Sequence, residues 1–154
     1  MSEAPTYLVV IDRSEESAVA LRFAALRAGH VGARVLLLHV IRPPEFMPLG
    51  AVQDAIRAEA EEDGEALLAS SADAAEALSG HRPETRLLCG EPGPAISEFI
   101  RAAPDVRALV LATAAKGNPG PLVNYFSGER VVQLPCVTIL VPGGLQPERI
   151  QAIS

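Results

Sequence analysis

The chain has 154 residues and a formal net charge of −6 at pH 7, a size that predicts one domain with a full core. Hydrophobic residues make up 49% of it and aromatic residues only 4%, so the core is aliphatic, as in parallel strands covered by helices on both faces. The acidic balance excludes non-specific binding to nucleic acid or anionic membranes, and no apolar run reaches the roughly 20 residues of a membrane span.

No nucleic-acid partner and no membrane partner are therefore expected. Met1 to Pro5 is short and polar, so no leader is expected, and a cytoplasmic location is the default. Cys89 and Cys136 each sit in or beside a strand-like run. Two residues do not make a disulfide framework, and both are expected to be reduced core thiols.

In chain order, Tyr7 to Ile11 is a continuous apolar run ending at Asp12, which predicts a central parallel strand. Ser14 is placed to cap a helix whose first turn carries Glu15 and Glu16, with Val19, Phe23 and Leu26 on one face and Gly29 or Gly32 at its end. Arg34 to Ile41 is the second strand, containing His39, which is expected to be a hydrogen-bonded core histidine. Arg42 to Gly50 reads as irregular, with three prolines.

A helix is expected from about Ala51 to Leu78, with Val52, Ile56, Ala60, Leu67, Ala74 and Leu78 approximating its inner face and Gly64 marking a bend. Its acidic cluster, Glu59 to Glu65, is a solvated face. Glu84 to Cys89 is the third strand. Gly90 to Pro94 turns into a helix with Ile96, Phe99 and Ile100 inward, and Pro94 fits its first turn. Ala108 to Ala112 is the fourth strand, Leu122 to Leu134 the fourth helix, and Cys136 to Val141 the fifth strand.

The alternation of strands and helices predicts one α/β domain over residues 1–154, with its core at 6–142 and a short tail at 143–154. The sheet is parallel and doubly wound, with right-handed crossovers. Ligands in such sheets bind at the carboxyl ends of the strands, where the strand order reverses. Three loops meet there: Asp12 to Ser14, Val40 to Arg42, and Thr113 to Pro121. The last is a glycine-bearing strand-to-helix loop, the usual cradle for phosphates.

The chain at this point resembles the universal stress protein family from Tyr7 to Val141. The residues that carry the likeness are Asp12 followed by Ser14-Glu15-Glu16-Ser17, then Leu38-His39-Val40-Ile41, the turn Gly90-Glu91-Pro92 with Ile96 beyond it, and Glu129-Arg130-Val131 leading to Pro135-Cys136 and a closing apolar strand. The resemblance implies a strand order of 3-2-1-4-5 and a homodimer formed through the last strand, Cys136 to Val141. It also implies an ATP or AMP site, with Mg if ATP, in those members that carry G-x2-G-x9-G-[S/T] after strand 4.

Here that pattern falls on Ala114, Gly117 and the pair Ser127-Gly128, with alanine replacing the first glycine and the closing pair reversed. A second placement uses Gly117 and Gly120, which leaves Gly128 too early and Glu129 where a hydroxyl belongs. The resemblance places Asp12 at an adenine or ribose contact and the backbone of Val40 at the adenine edge. Arg13 and Ser14 flank the cleft mouth, and Arg13 stands where the family carries a small residue.

Phosphate binding by this loop needs backbone N–H groups that approach closely and tolerate positive φ. Pro119 and Pro121 remove two such donors. Lys116, Asn118 and Thr113 are the side chains that can compensate, with Ser127 and the Gly128 N–H at a terminal phosphate. Each has a plainer reading. Asp12 can cap the next turn, Lys116 can be a solvated loop lysine, and Ser127-Gly128 can be a packing concession inside a helix. Tyr125-Phe126 is expected in the core or at a dimer surface.

No nucleophile elbow, His-Glu-x-x-His, Cys-x-x-Cys or P-loop is present. His30, His39 and His81 have no metal-ligand spacing. The chain is expected not to be an enzyme, beyond slow ATP hydrolysis at most. An adenylating ligase needs a Ser-Gly-Gly-x-Asp-Ser loop after strand 1, and residues 12–17 lack both glycines. A flavin carrier needs a Ser/Thr/Gly-rich loop there. Two expectations remain: a stress-response module with a weakened adenine-nucleotide site, or a dimeric stress protein that has lost nucleotide binding and acts through protein partners.

Overall fold

The first apolar run forms β1 (Thr6–Val10), one residue earlier than its hydrophobic limits, because the register with its neighbours begins at Thr6. After it come α1 (Glu15–Val31), β2 (Arg34–Ile41), α2 (Gly50–Ser79), β3 (Glu84–Cys89), α3 (Pro92–Arg101), β4 (Val106–Ala112), α4 (Pro121–Phe126), a 3-10 turn (Glu129–Gln133), β5 (Val137–Val141) and α5 (Pro147–Ile153). The computed structural model describes residues 4–43 and 50–154. Most of the irregular stretch expected after β2 lies outside the described residues.

All strand pairs are parallel, in the order β3-β2-β1-β4-β5. Right-handed crossovers dictate where the helices go. The chain moves one way across the sheet from β1 to β3, so α1 and α2 share a face. It then moves the other way from β3 to β5, so α3 and α4 take the opposite face. The side chains agree. Val9, Ile11, Leu37 and Val110 pack under α1, α2 and α5, whereas Leu8, Leu36, Leu38, Leu109 and Leu111 pack under α3 and α4. Burial on both faces explains why these strands read as unbroken apolar runs.

α1 begins at Ser14, whose hydroxyl accepts from the Ser17 N–H at 3.3 Å, and ends at Gly32, which is left-handed with φ of 71°. α2 runs for 30 residues, about 45 Å at 1.5 Å per residue. Its buried seam is Gly64, Leu68, Ala72 and Ala75. This corrects the expected face: Leu67 and Leu78 are half-buried, while Val52 and Ile56 are exposed. Gly64 lies inside one continuous helix, where a Cβ would stand 2.8 Å from the Leu87 side chain and 3.1 Å from that of His39. It is a packing glycine that lets α2 lie close on β2 and β3.

Two further expectations are corrected. The helix expected over 122–134 ends at Phe126, and Ser127-Gly128 separates it from the 3-10 turn. Phe126 is fully buried, and the half-buried Tyr125 meets it edge-on at 4.8 Å. The tail expected over 143–154 instead contains α5, which packs on α1 with Ile150 1% exposed. Arg27 of α1 donates to the Ser154 carbonyl at 3.2 Å.

The cysteines are free, and Cys89 is exposed and not a core residue. Cys89 ends β3 and Cys136 precedes β5, the two outer strands. Four strand spacings, about 19 Å, separate the sheet edges, beyond the roughly 7 Å that a disulfide spans.

Candidate functional site

Strand order reverses between β1 and β4, so the crevice between them at the carboxyl edge is the place for a ligand. β2 outruns β1: the last paired residues are Val10 and Leu38, leaving His39, Val40 and Ile41 beyond β1's end. The chain after β1 closes back on that overhang. The Ile11 N–H donates to the Leu38 carbonyl at 2.7 Å, and the Ile11 carbonyl accepts from His39 Nδ1 at 2.6 Å. A carbonyl only accepts, so this bond fixes the proton on Nδ1. His39 is thus hydrogen-bonded as expected, though half-buried and not a core residue, and it pins the Ile11-Asp12 turn.

Asp12 is exposed at the crevice mouth, but its carboxylate is engaged. Oδ1 accepts from the Ser14 N–H at 2.7 Å and from the Ser14 hydroxyl. The Asp12 N–H donates to Ser17 Oγ at 3.0 Å. Ser17 Oγ in turn reaches the Val10 carbonyl at 3.5 Å. Asp12, Ser14 and Ser17 form one Asx-turn and cap assembly at the start of α1. The capping role is therefore present in full.

The loop after β4 is closed on itself. The Thr113 N–H donates to the Val141 carbonyl at 2.9 Å, extending the β4–β5 ladder, and the Ala114 N–H donates to the Pro119 carbonyl at 3.0 Å. Asn118 Oδ1 accepts from the Gly120 N–H at 3.0 Å and from Asn124 Nδ2 at 2.8 Å. The donors of Thr113, Ala114 and Gly120 are thereby engaged within the protein, and Pro119 and Pro121 have none. Gly117 and Gly120 have φ of 74° and 116°, and no other residue type has positive φ among the described residues. Ala114 is thus unstrained. The Gly117/Gly120 pair, not Ala114/Gly117, occupies the conformations that require glycine.

Asp12 and Gly120 line one cleft, with Pro119, Pro121, Val10 and Leu111 among its walls, and its volume is only about 60 Å³. Ligand sites for small molecules run to about 300–1,000 Å³. Arg13 lines a separate groove between α1 and α2 and makes no ion pair with Asp12 among the described residues. Lys116 and Gly117 are exposed at the loop tip, and Ser127 and Gly128 are exposed beyond α4. Val40, Lys116, Gly117, Ser127 and Gly128 line neither cavity beside Asp12. Asp12, Val40 and Thr113 thus leave the sheet at one edge, but the candidate residues do not share one formed pocket.

Gly143 matters to this edge and carries no motif. Its N–H donates to Thr113 Oγ1 at 3.1 Å, and a Cβ there would collide with the Thr113 carbonyl oxygen. The double glycine following Pro142 at the end of the last strand was the available signal. Gly93 is similar: the ring of Tyr125 fills the space its Cβ would take, at 2.6 Å. Among the described residues, no group of three or more His, Cys, Asp or Glu side chains is placed to hold a metal ion, and no helix is long and apolar enough to cross a membrane.

No curated protein matches the sequence. Among solved structures, the chain is similar to universal stress protein UspA from Lactobacillus plantarum, with a TM-score of 0.74 and 19% identity over 92% of this chain and 99% of that one. It is also similar to a universal stress protein solved in complex with cAMP, with a TM-score of 0.66 and 18% identity over the same shares of the two chains. The universal stress protein from Archaeoglobus fulgidus, solved in complex with dAMP, matches with a TM-score of 0.59 and 20% identity, again over 92% and 99%. Identities at this level speak to the fold. The profile of the universal stress protein family, however, matches residues 6–141, from the first residue of β1 to the last of β5, and the chain belongs to that family.

Proposed function

We propose that this universal stress protein is a non-catalytic regulatory module whose adenine-nucleotide site, at the carboxyl ends of β1, β2 and β4, binds weakly. The observation that carries this reading is the loop closed on its own hydrogen bonds over a cleft of about 60 Å³. Admitting a nucleotide requires breaking the bond from Ala114 to Pro119 and moving the Pro119-Gly120-Pro121 segment off the cleft. Both changes subtract from any affinity gained. The relatives solved with cAMP and dAMP support an adenine monophosphate as the ligand class. A monophosphate asks for fewer N–H donors than ATP, so AMP is the better fit to a loop with two prolines.

The test is the ultraviolet spectrum of the purified protein. With two tyrosines and no tryptophan, its own absorbance is low, and retained adenine adds a band near 260 nm. The reading predicts a plain tyrosine spectrum. A 260 nm maximum that survives gel filtration overturns it.

A second reading, action as a homodimer through protein contacts, is favoured by the open edge of the sheet. Among the described residues β5 has no partner on its outer side, and Val132, Val137 and Leu140 are 83%, 62% and 42% exposed around it. A bare apolar edge strand invites pairing. Light scattering is expected to give twice the chain mass for the wild type and the single-chain mass for Val137→Lys. A monomeric wild type contradicts the dimer.

A further inference from the structure

The groove between α1 and α2 measures about 380 Å³ and shares only Asp12 and Ser17 with the walls of the switch-point cleft. Its floor is apolar: Ile11 and Leu21 are buried and Leu67 is half-buried. Its remaining wall contains three polar side chains, Arg13, Ser70 and Ser71, that make no hydrogen bond or ion pair among the described residues. A serine inside a helix commonly satisfies its hydroxyl on the carbonyl four residues earlier, as Ser79 does with Ala75 at 3.0 Å in the same helix. Ser70 and Ser71 do not. Arg13 and Ser70 are exposed and Ser71 is half-buried, so the two hydroxyls and the guanidinium that border this apolar floor face water, which a ligand's polar atoms would replace.

We propose that this groove binds a small organic monocarboxylate, with its carboxylate on Arg13, its apolar body over Leu21 and Leu67, and any polar substituent on Ser70 and Ser71. The guanidinium presents a planar fork that matches a carboxylate in two parallel hydrogen bonds. The titratable groups lining the groove are Arg13 and Asp12. A doubly charged phosphate loses more hydration than a single carboxylate on entering a groove with an apolar floor, which disfavours phosphate monoesters. The volume falls at the small end of ligand sites. The proposal does not depend on the nucleotide reading, because it uses neither the loop after β4 nor its glycines.

The test is an amide NMR titration of the full chain with hexanoate, with hexan-1-ol and hexyl phosphate run at equal concentration. Hexanoate is expected to move amides within 11–21 and 67–74, saturably. Arg13→Ala, an exposed position that the fold does not need, is expected to weaken that binding by about tenfold, the loss of a charge-assisted pair. Ser71→Leu is expected to abolish it by filling the groove. The proposal is overturned by any of four results: no shifts, shifts centred on 113–121, equal affinity for hexan-1-ol, or tighter binding of hexyl phosphate.

Discussion

Asp12 stands where a nucleotide contact is expected, yet its Oδ1 is held by the N–H and hydroxyl of Ser14 at the head of α1. If holding the turn is its work, Asp12→Ala destabilises the ligand-free protein by about 1 kcal/mol, the usual net value of a lost hydrogen bond, read as a lower urea midpoint. A purely ligand-contacting Asp12 would leave the midpoint unchanged. Gly143 makes a parallel case, since no side chain fits against the Thr113 carbonyl. The two thiols differ as well. Burial pushes the Cys136 thiol above its ordinary value of 9.0, outweighing a backbone hydrogen bond that lowers it. Its folded form thus holds the proton more tightly than the unfolded chain does. That contribution to stability is intact below the ordinary thiol value and is lost as pH rises through the raised one. Alkylation at pH 8 is expected to modify the exposed Cys89 before Cys136; the reverse order in a mass-spectrometric time course would contradict this assignment.

Among the elements, α1 was plain from its ends, because Ser14 and Gly32 are residue types whose chemistry marks a start and a stop. The fourth helix was overextended because Val131 and Val132 prolong the apolar pattern past Ser127-Gly128, where the backbone in fact leaves the helix. α5 was hidden for the opposite reason: seven residues with one buried apolar side chain have too little periodicity to stand out. Its contribution comes from docking on α1, a tertiary fact. Ile150→Ala is therefore expected to destabilise the fold by about 2–5 kcal/mol, the range for emptying a buried aliphatic site, measured by urea unfolding. A loss under about 0.5 kcal/mol, the level of an ordinary surface change, would mean that residues 143–154 behave as a tail. Along α2 the inner face was misplaced because the first half of the helix, Gly50 to Asp63, contains no buried residue. Periodicity there has no packing to report. Amides in that half are expected to exchange faster than those from Gly64 onward.

At the scale of the whole molecule, the layered α/β architecture was legible because parallel strands buried on both faces leave unmistakable apolar runs, and the right-handed crossover rule then assigns every helix from α1 to α4 to its face. The candidate position follows from the same rule, since strand order alone points to the edge where Asp12, Val40 and Thr113 come out of the sheet. Its state does not. Whether Ala114 donates to Pro119, or Asn118 Oδ1 accepts from Gly120 and Asn124, depends on how the loop folds back, and no spacing encodes that. The glycine pattern pointed to Ala114, Pro119, Pro121 and the reversed Ser127-Gly128 pair, whereas the conformations that require glycine fall at Gly117 and Gly120, which are glycines already. In the proposed reading the site is weakened by a closed loop and two missing N–H donors, not by a misplaced side chain. Calorimetric titration with AMP and with MgATP tests this most directly. The account predicts no saturable heat for MgATP and, for AMP, a dissociation constant no tighter than about 1 mM, which corresponds to about −4 kcal/mol; a micromolar constant for either nucleotide would contradict it.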